Sequence, residues 1–202
     1  MWNSMKRKRS SRNRRARWCV FLILLALLAL LIWPRTVHLE GLVSPYAILV
    51  DADSGEAVAE KKADVSIYPA SMTKVMTALL ALEANQNLEQ PVTLPEDIFP
   101  ELRAEGASMA GFRPGETATV RDLLYGALLP SGAECCEALA REVSGSEEAF
   151  VELMNQKAAE LGMRSTHFCN PTGLHDPEHI STVRDMARLL RAAMQNETFR
   201  AI

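Results

Sequence analysis

The sequence predicts an α+β domain behind a single N-terminal membrane-spanning helix. Three patterns carry this expectation. An unbroken apolar run, Trp18 to Trp33, follows a basic tail. A strand–turn–strand signal follows at 46–60, and helical segments fill most of the remainder, with no further strand signal to complete a sheet. The length of 202 residues accommodates one domain and a short extra segment.

The apolar run comes first in the chain. Its 16 residues make about 24 Å of helix at 1.5 Å per residue, slightly short of the ~30 Å hydrocarbon core of a bilayer. Trp18 and Trp33 suit the two interfaces, and Arg17 and Arg35 can extend toward the headgroups. Lys6, Arg7, Lys8, Arg9, Arg12, Arg14, Arg15 and Arg17 precede the run and no acidic residue does. That asymmetry is expected to keep the N-terminus in the cytoplasm and to place residues 34–202 outside, in a single-pass arrangement in the cell membrane. A cleaved signal peptide is the rival. It needs small residues after the run, where the chain has Pro34-Arg35-Thr36-Val37-His38. The expected division is a basic cytoplasmic tail at 1–17, a transmembrane signal-anchor at 18–33, a linker at 34–45 and the α+β domain at 46–202.

The eight tail cations leave only 14 of the 22 Lys and Arg residues against all 25 Asp and Glu residues. A body this acidic repels phosphate, which excludes nucleic acid as a partner. The four cysteines do not make a disulfide framework. Cys135 and Cys136 are adjacent, Cys19 lies in the apolar run, and Cys169 stands alone, so all read as small buried hydrophobes.

Within the body, Tyr46–Val50 and Ala57–Glu60 read as the strands of a hairpin around the turn Asp53-Ser54-Gly55-Glu56. Helices are expected at 71–84, 119–129, 133–143, 147–161 and 182–195. Thr119, Ser146 and Ser181 serve as N-caps, and Gly145 and Gly162 as stops. The stretch from Pro91 to Gly115 reads as loop because of its Pro and Gly residues.

Ser71 and Lys74 form an S-x-x-K pattern within Tyr68-Pro-Ala-Ser-Met-Thr-Lys-Val-Met-Thr-Ala-Leu-Leu80. Positions three apart on a helix share a face, which brings the amine to the hydroxyl. A serine hydroxyl needs an adjacent base to become a nucleophile, and a lysine serves as that base when burial lowers its pKa. At the helix start the Ser71 N–H is left unpaired and can face an oxyanion. A helical wheel puts Met72, Val75, Met76, Leu79 and Leu82 on one apolar stripe and Ser71, Lys74 and Ala78 on the next. The tetrapeptide alone is a weak signal, and a solvated Ser and Lys on a surface helix is the simpler account of it.

Its surroundings decide the matter. Pro69-Ala-Ser-Met-Thr-Lys-Val-Met-Thr-Ala78 closely resembles the nucleophile helix of serine D-alanyl-D-alanine carboxypeptidases, members of the penicillin-binding and serine β-lactamase fold. Gly111-Phe-Arg-Pro-Gly-Glu116, Leu128-Leu-Pro-Ser-Gly132, Thr166-His-Phe-Cys-Asn-Pro-Thr-Gly-Leu174 and Ser181-Thr-Val-Arg-Asp-Met-Ala187 resemble the same family in the same order. The resemblance covers about residues 44–202. It implies a transpeptidase-type fold, here incomplete in its late strands. It also implies that Ser71 attacks the D-alanyl-D-alanine bond of a peptidoglycan stem peptide, with Lys74 as base and Ser131 as proton relay. Gly132 and Ala133 would contact substrate, β-lactams would act as covalent inhibitors, and no metal or organic cofactor would be involved.

Two departures stand out. Ala133 occupies the place where the family's second motif, S-x-N, has its Asn, and a methyl cannot make the hydrogen bonds of that amide. No K-T-G occurs; Thr172-Gly173 follows Pro171 and matches a different family position. The expectation is therefore a truncated chain with little turnover. The alternative is a membrane-anchored, non-catalytic module that binds peptidoglycan or a partner. A β-lactamase would need a deacylating base that the sequence does not offer. A zinc site from His167, Cys169, His175 and His179 is a further rival, opposed by Pro177 between the last two.

Overall fold

A computed structural model of the protein describes residues 18, 21–23, 25, 37, 39 and 41–202. The chain divides into two compact units, Met1–Val37 and His38–Ile202. In the first, Trp18, Phe21, Leu22, Ile23 and Leu25 are helical and exposed. Most of the apolar run expected to cross a membrane, and the whole basic tail, lie outside the described residues. Among those described, no helix is long and apolar enough to span a bilayer.

The second unit opens with the expected hairpin. Strands β1 (Ala47–Val50) and β2 (Ala57–Lys61) pair antiparallel, with Ile48 opposite Glu60 and a register shift between Leu49 and Val50. The turn is built by Asp51, whose Oδ1 accepts from Ser54 N at 2.8 Å and Ser54 Oγ at 2.9 Å. A 3-10 turn, Ala70–Thr73, then leads into helix α1 (Lys74–Ala84). Helix α1 is apolar nearly all round and is accordingly buried. Ala78, Ala81 and Leu82 join one core with Leu94, Phe99, Leu123 and Leu139. Met76, Leu79 and Leu80 join another with Phe150, Met154, Phe168 and Leu189.

The remaining elements wrap this helix. They are β3 (Pro91–Thr93), α2 (Ile98–Ala104), β4 (Thr117–Thr119), α3 (Val120–Leu128), α4 (Ala133–Ser144), α5 (Glu147–Glu160), α6 (Val183–Ala193) and α7 (Glu197–Ala201). Helices α3, α4, α5, α6 and α7 all pack on α1, and α6 also packs on β1.

Several expectations need correction. The stretch read as loop contains α2 and β3, and β3 pairs antiparallel with β4. Pro100 is tolerated because it lies in the first turn of α2, where its missing N–H has no intrahelical partner. Helix α6 is capped by Thr182, not Ser181: Thr182 Oγ1 accepts from Asp185 N at 3.1 Å. Ser181 is engaged instead in a backbone bridge with Ile67. Thr119 and Ser146 cap as expected, Thr119 in a reciprocal box with Asp122. Gly145 ends α4 in the left-handed conformation, φ 85°.

Candidate active site

The 3-10 turn alters the geometry expected for Ser71. In a 3-10 turn, residues i and i+3 eclipse each other, so Lys74 lies directly over Ser71 and its Nζ is 3.2 Å from Ser71 Oγ. The same tighter winding turns Met72 outward, to 42% exposure, off the apolar stripe assigned to it. Met72 N–H pairs with Pro69 O at 3.1 Å, whereas Ser71 N–H has no backbone partner among the described residues.

Ser131 completes the group. Its Oγ donates to Ser71 Oγ at 2.9 Å. It reaches there from a left-handed backbone, φ 65°, and Ala70 beside the nucleophile is also left-handed, φ 50°. Two non-glycine residues in this region flanking the same hydroxyl represent strain held by the surrounding structure. Gly132 makes the Ser131 turn possible. A Cβ there would lie 2.6 Å from Ala110 Cβ and 2.9 Å from Gly126 O, and Gly132 N–H donates to that same Gly126 oxygen at 2.8 Å. Ala133 is buried, 1% exposed, at the first position of α4.

Lys74 is 5% exposed. Burial, the largest influence on it, lowers its pKa below the usual lysine value, and the nearby Glu134 carboxylate opposes that shift. Cys136 would oppose it too, but only as a thiolate. Burial pushes the Cys136 thiol up to about 12, so it is uncharged at neutral pH. The Lys74 amine also donates to Thr172 O at 2.6 Å.

Thr172 belongs to the Asn170-Pro-Thr-Gly-Leu174 loop, for which the sequence alone indicates no role at the site. Asn170 Oδ1 accepts from Thr172 N at 3.2 Å, Thr172 Oγ1 at 3.0 Å and Gly173 N at 2.7 Å. Thr77 Oγ1 on α1 donates to Pro171 O at 2.6 Å. Gly173, at φ +81°, lies so close to the nucleophile turn that a Cβ would stand 1.9 Å from Ala70 O. Glu134, the residue after Ala133, is fully buried. Its Oε1 accepts from Ala110 N at 2.7 Å and Gly111 N at 2.9 Å, and its Oε2 has no partner.

The residues weighed as zinc ligands are differently employed. His179 Nδ1 accepts from Cys169 N at 3.3 Å, so its proton is on Nε2, 2.8 Å from Thr73 Oγ1. His175 lies edge-on to Tyr68. Among the described residues, no three His, Cys, Asp or Glu side chains are grouped to hold a metal ion.

A hydroxyl between a buried amine and a second hydroxyl, beside an unpaired backbone N–H, is the geometry of a serine acyl-transfer site. The chain belongs to the D-alanyl-D-alanine carboxypeptidase family, whose pattern matches residues 35–201. It is 38% identical over 152 residues to the D-alanyl-D-alanine carboxypeptidase DacF of Bacillus subtilis (strain 168), an alignment covering 75% of this chain and 39% of DacF. It is 39% identical over 170 residues to DacC of Escherichia coli (strain K12), covering 80% of this chain and 42% of DacC. The chain thus spans about two-fifths of the length of these curated relatives. Among solved structures, the Streptomyces K15 DD-transpeptidase superposes with TM-score 0.72 at 34% identity, covering 77% of this chain and 62% of that one. Penicillin binding protein 6B from Escherichia coli gives TM-score 0.76 at 29% identity, covering 82% and 54%. The fold is therefore that of the penicillin-binding transpeptidases, over part of its extent.

Proposed function

We propose that this chain provides the nucleophile half of a serine D-alanyl-D-alanine carboxypeptidase acting on peptidoglycan stem peptides. The observation that carries the reading is the position of Ser71 Oγ, 3.2 Å from Lys74 Nζ and 2.9 Å from Ser131 Oγ. A neutral Lys74, anchored by donating to Thr172 O, keeps a lone pair for the Ser71 proton. Ser71 Oγ then attacks the carbonyl between the two D-alanines, and the unpaired Ser71 N–H faces the developing oxyanion. The proton passes through Ser131 to the departing D-alanine amine, and water hydrolyses the acyl-enzyme. General-base assistance of this kind is worth ~10²–10⁴ in rate. A β-lactam presents a carbonyl of the same kind and acylates the same oxygen. Gly132 and Ala133 line the turn that the substrate passes.

Residues 18–33 would tether this domain to the bilayer with the basic tail on the cytoplasmic side, and residues 34–45 would link the two. Protease protection of residues 41–202 in sealed membrane vesicles tests this arrangement.

Labelling with a fluorescent penicillin tests the chemistry. The wild type should be labelled covalently, Ser71→Ala should not, and Lys74→Met should be labelled at least a hundredfold more slowly. Ala133 favours a second reading, a non-catalytic module that binds stem peptide without turnover, because its methyl group supplies no amide. Labelling of neither wild type nor variant, together with retained binding of a D-alanyl-D-alanine peptide, would select that reading.

A further inference from the structure

Away from Ser71, a cleft of about 290 Å³ opens between α2, α4, the start of α5 and the loop carrying Thr172. Six carboxylates line it: Asp97, Glu101 and Glu105 beside or on α2, Glu137 on α4, Glu147 on α5, and Asp176 on the loop wall. The single cation among its lining residues, Arg141, is already engaged by both oxygens of Asp97, at 3.1 and 2.8 Å. Glu137 is the second, independent observation. It lines the cleft at only 5% exposure, and its Oε2 is buried without a hydrogen-bond partner. A buried carboxyl oxygen with no donor carries an uncompensated desolvation cost, greater when charged; a donor supplied by a ligand removes that cost.

We propose that this cleft binds a primary alkylammonium group, with Glu137 as the acceptor of its N–H bonds. The lining chemistry selects this class. No three ligands are grouped for a metal ion among the described residues, and the space far exceeds what one ion needs. An ammonium brings three donors, and a methylene stem fits the Ile98, Leu102 and Leu174 side chains that share the lining. Such an amine can come from a free diamine or from a lysine-type side chain in a peptide.

Supporting behaviour follows from the acids themselves. Burial first, then Glu147, Glu101 and Asp97, push Glu137 up to about 8, against the pull of Arg141. Burial first, then Glu148, Glu101 and Glu105, push Glu147 upward too. On the loop wall, hydrogen bonding from the Glu178 N–H keeps Asp176 below its usual value, and the Cys169 thiol is pushed to about 11. His175 is the remaining titratable group on that wall. An arriving ammonium therefore displaces a proton from Glu137 at pH 7.

Calorimetry on the full chain tests this with 1,5-diaminopentane and with Nα-acetyl-lysine methylamide, each in two buffers of different ionisation enthalpy. Saturable binding with proton release at pH 7, tighter at pH 9, supports the proposal, and His175→Asn should leave the release unchanged. Binding of both amines marks a site for free alkylammonium, and binding of the lysine derivative alone marks a peptide site. Glu137→Gln should weaken binding at least tenfold. The exposed pair Glu101→Gln/Glu105→Gln, which leaves the core intact, should weaken it several-fold. No heat with either amine, equal binding by Glu137→Gln, or displacement by equimolar calcium chloride overturns the proposal and leaves an ordinary buried acid only.

Discussion

The carbonyl oxygen of Thr172 lies 2.6 Å from the Nζ of Lys74, although 98 residues separate them. That bond anchors the amine over Ser71, and Asn170 holds the carbonyl in place by accepting three bonds from the loop. Asn170→Ala should therefore slow acylation by a fluorescent penicillin at least tenfold and lower stability by about 2 kcal/mol. Stopped-flow labelling and urea denaturation measure the two effects. Unchanged labelling in a folded variant would mean that Lys74 does not need this anchor.

The pH dependence of acylation reports on Lys74. In the proposed mechanism the neutral amine is the reactive form, so the rate should rise with pH through the burial-lowered pKa. The Glu134 carboxylate opposes the lowering. Glu134→Gln keeps an oxygen that can accept from Ala110 and Gly111 but loses the charge, so the rising limb should move to lower pH. A limb that moves upward would contradict the assignment of Lys74 as base.

Gly173 tests the contact between the loop and the nucleophile turn. Any side chain there meets Ala70 O at 1.9 Å from a backbone with φ +81°. Gly173→Ala should cost at least about 3 kcal/mol and abolish labelling. A thermal melt within a degree or two of wild type would show that the two segments separate easily.

Acid should destabilise the domain through His179. It is 2% exposed, and burial holds it at about 4, against 6.5 in the unfolded chain. The unfolded state therefore binds the extra proton, and stability falls as pH drops from 6.5 through 4, by about 3 kcal/mol in all. Urea midpoints across that range should fall steeply in the wild type and less in His179→Gln.

Glu137 works in the opposite direction. Its folded value of about 8 exceeds the ordinary 4.5, so the native state holds the proton longer. Stability should fall as pH rises from 4.5 to 8, by an amount on the order of 5 kcal/mol. Glu137→Gln should flatten this alkaline slope, measured by the same urea titrations.

The hairpin, the five long helices and the Ser71–Lys74 pair were legible in the sequence because each is a local pattern. Helix α2 was not, because Pro100 signals a break unless one knows that the helix starts only two residues earlier. Met72 was assigned inward on a 100° step, and the 3-10 turn advances by about 120° per residue. The Thr172 carbonyl could not be read at all: every residue has one, and only tertiary packing selects which oxygen meets Lys74. The same holds for Glu134 and Glu137, two acidic residues on one helix whose residue type alone would place them in solvent.

The interlock of Gly173 with Ala70 gives the nucleophile a history as well as a position. Ser71 and Lys74 are synthesised within a few residues of each other, yet the amine is anchored only after about a hundred further residues have closed a loop back onto it, at an entropic cost that grows with loop length. If Ser71 is acylated as proposed, covalent labelling becomes a clock for tertiary closure: a chain caught midway in folding carries the Ser71–Lys74 pair but leaves it unarmed.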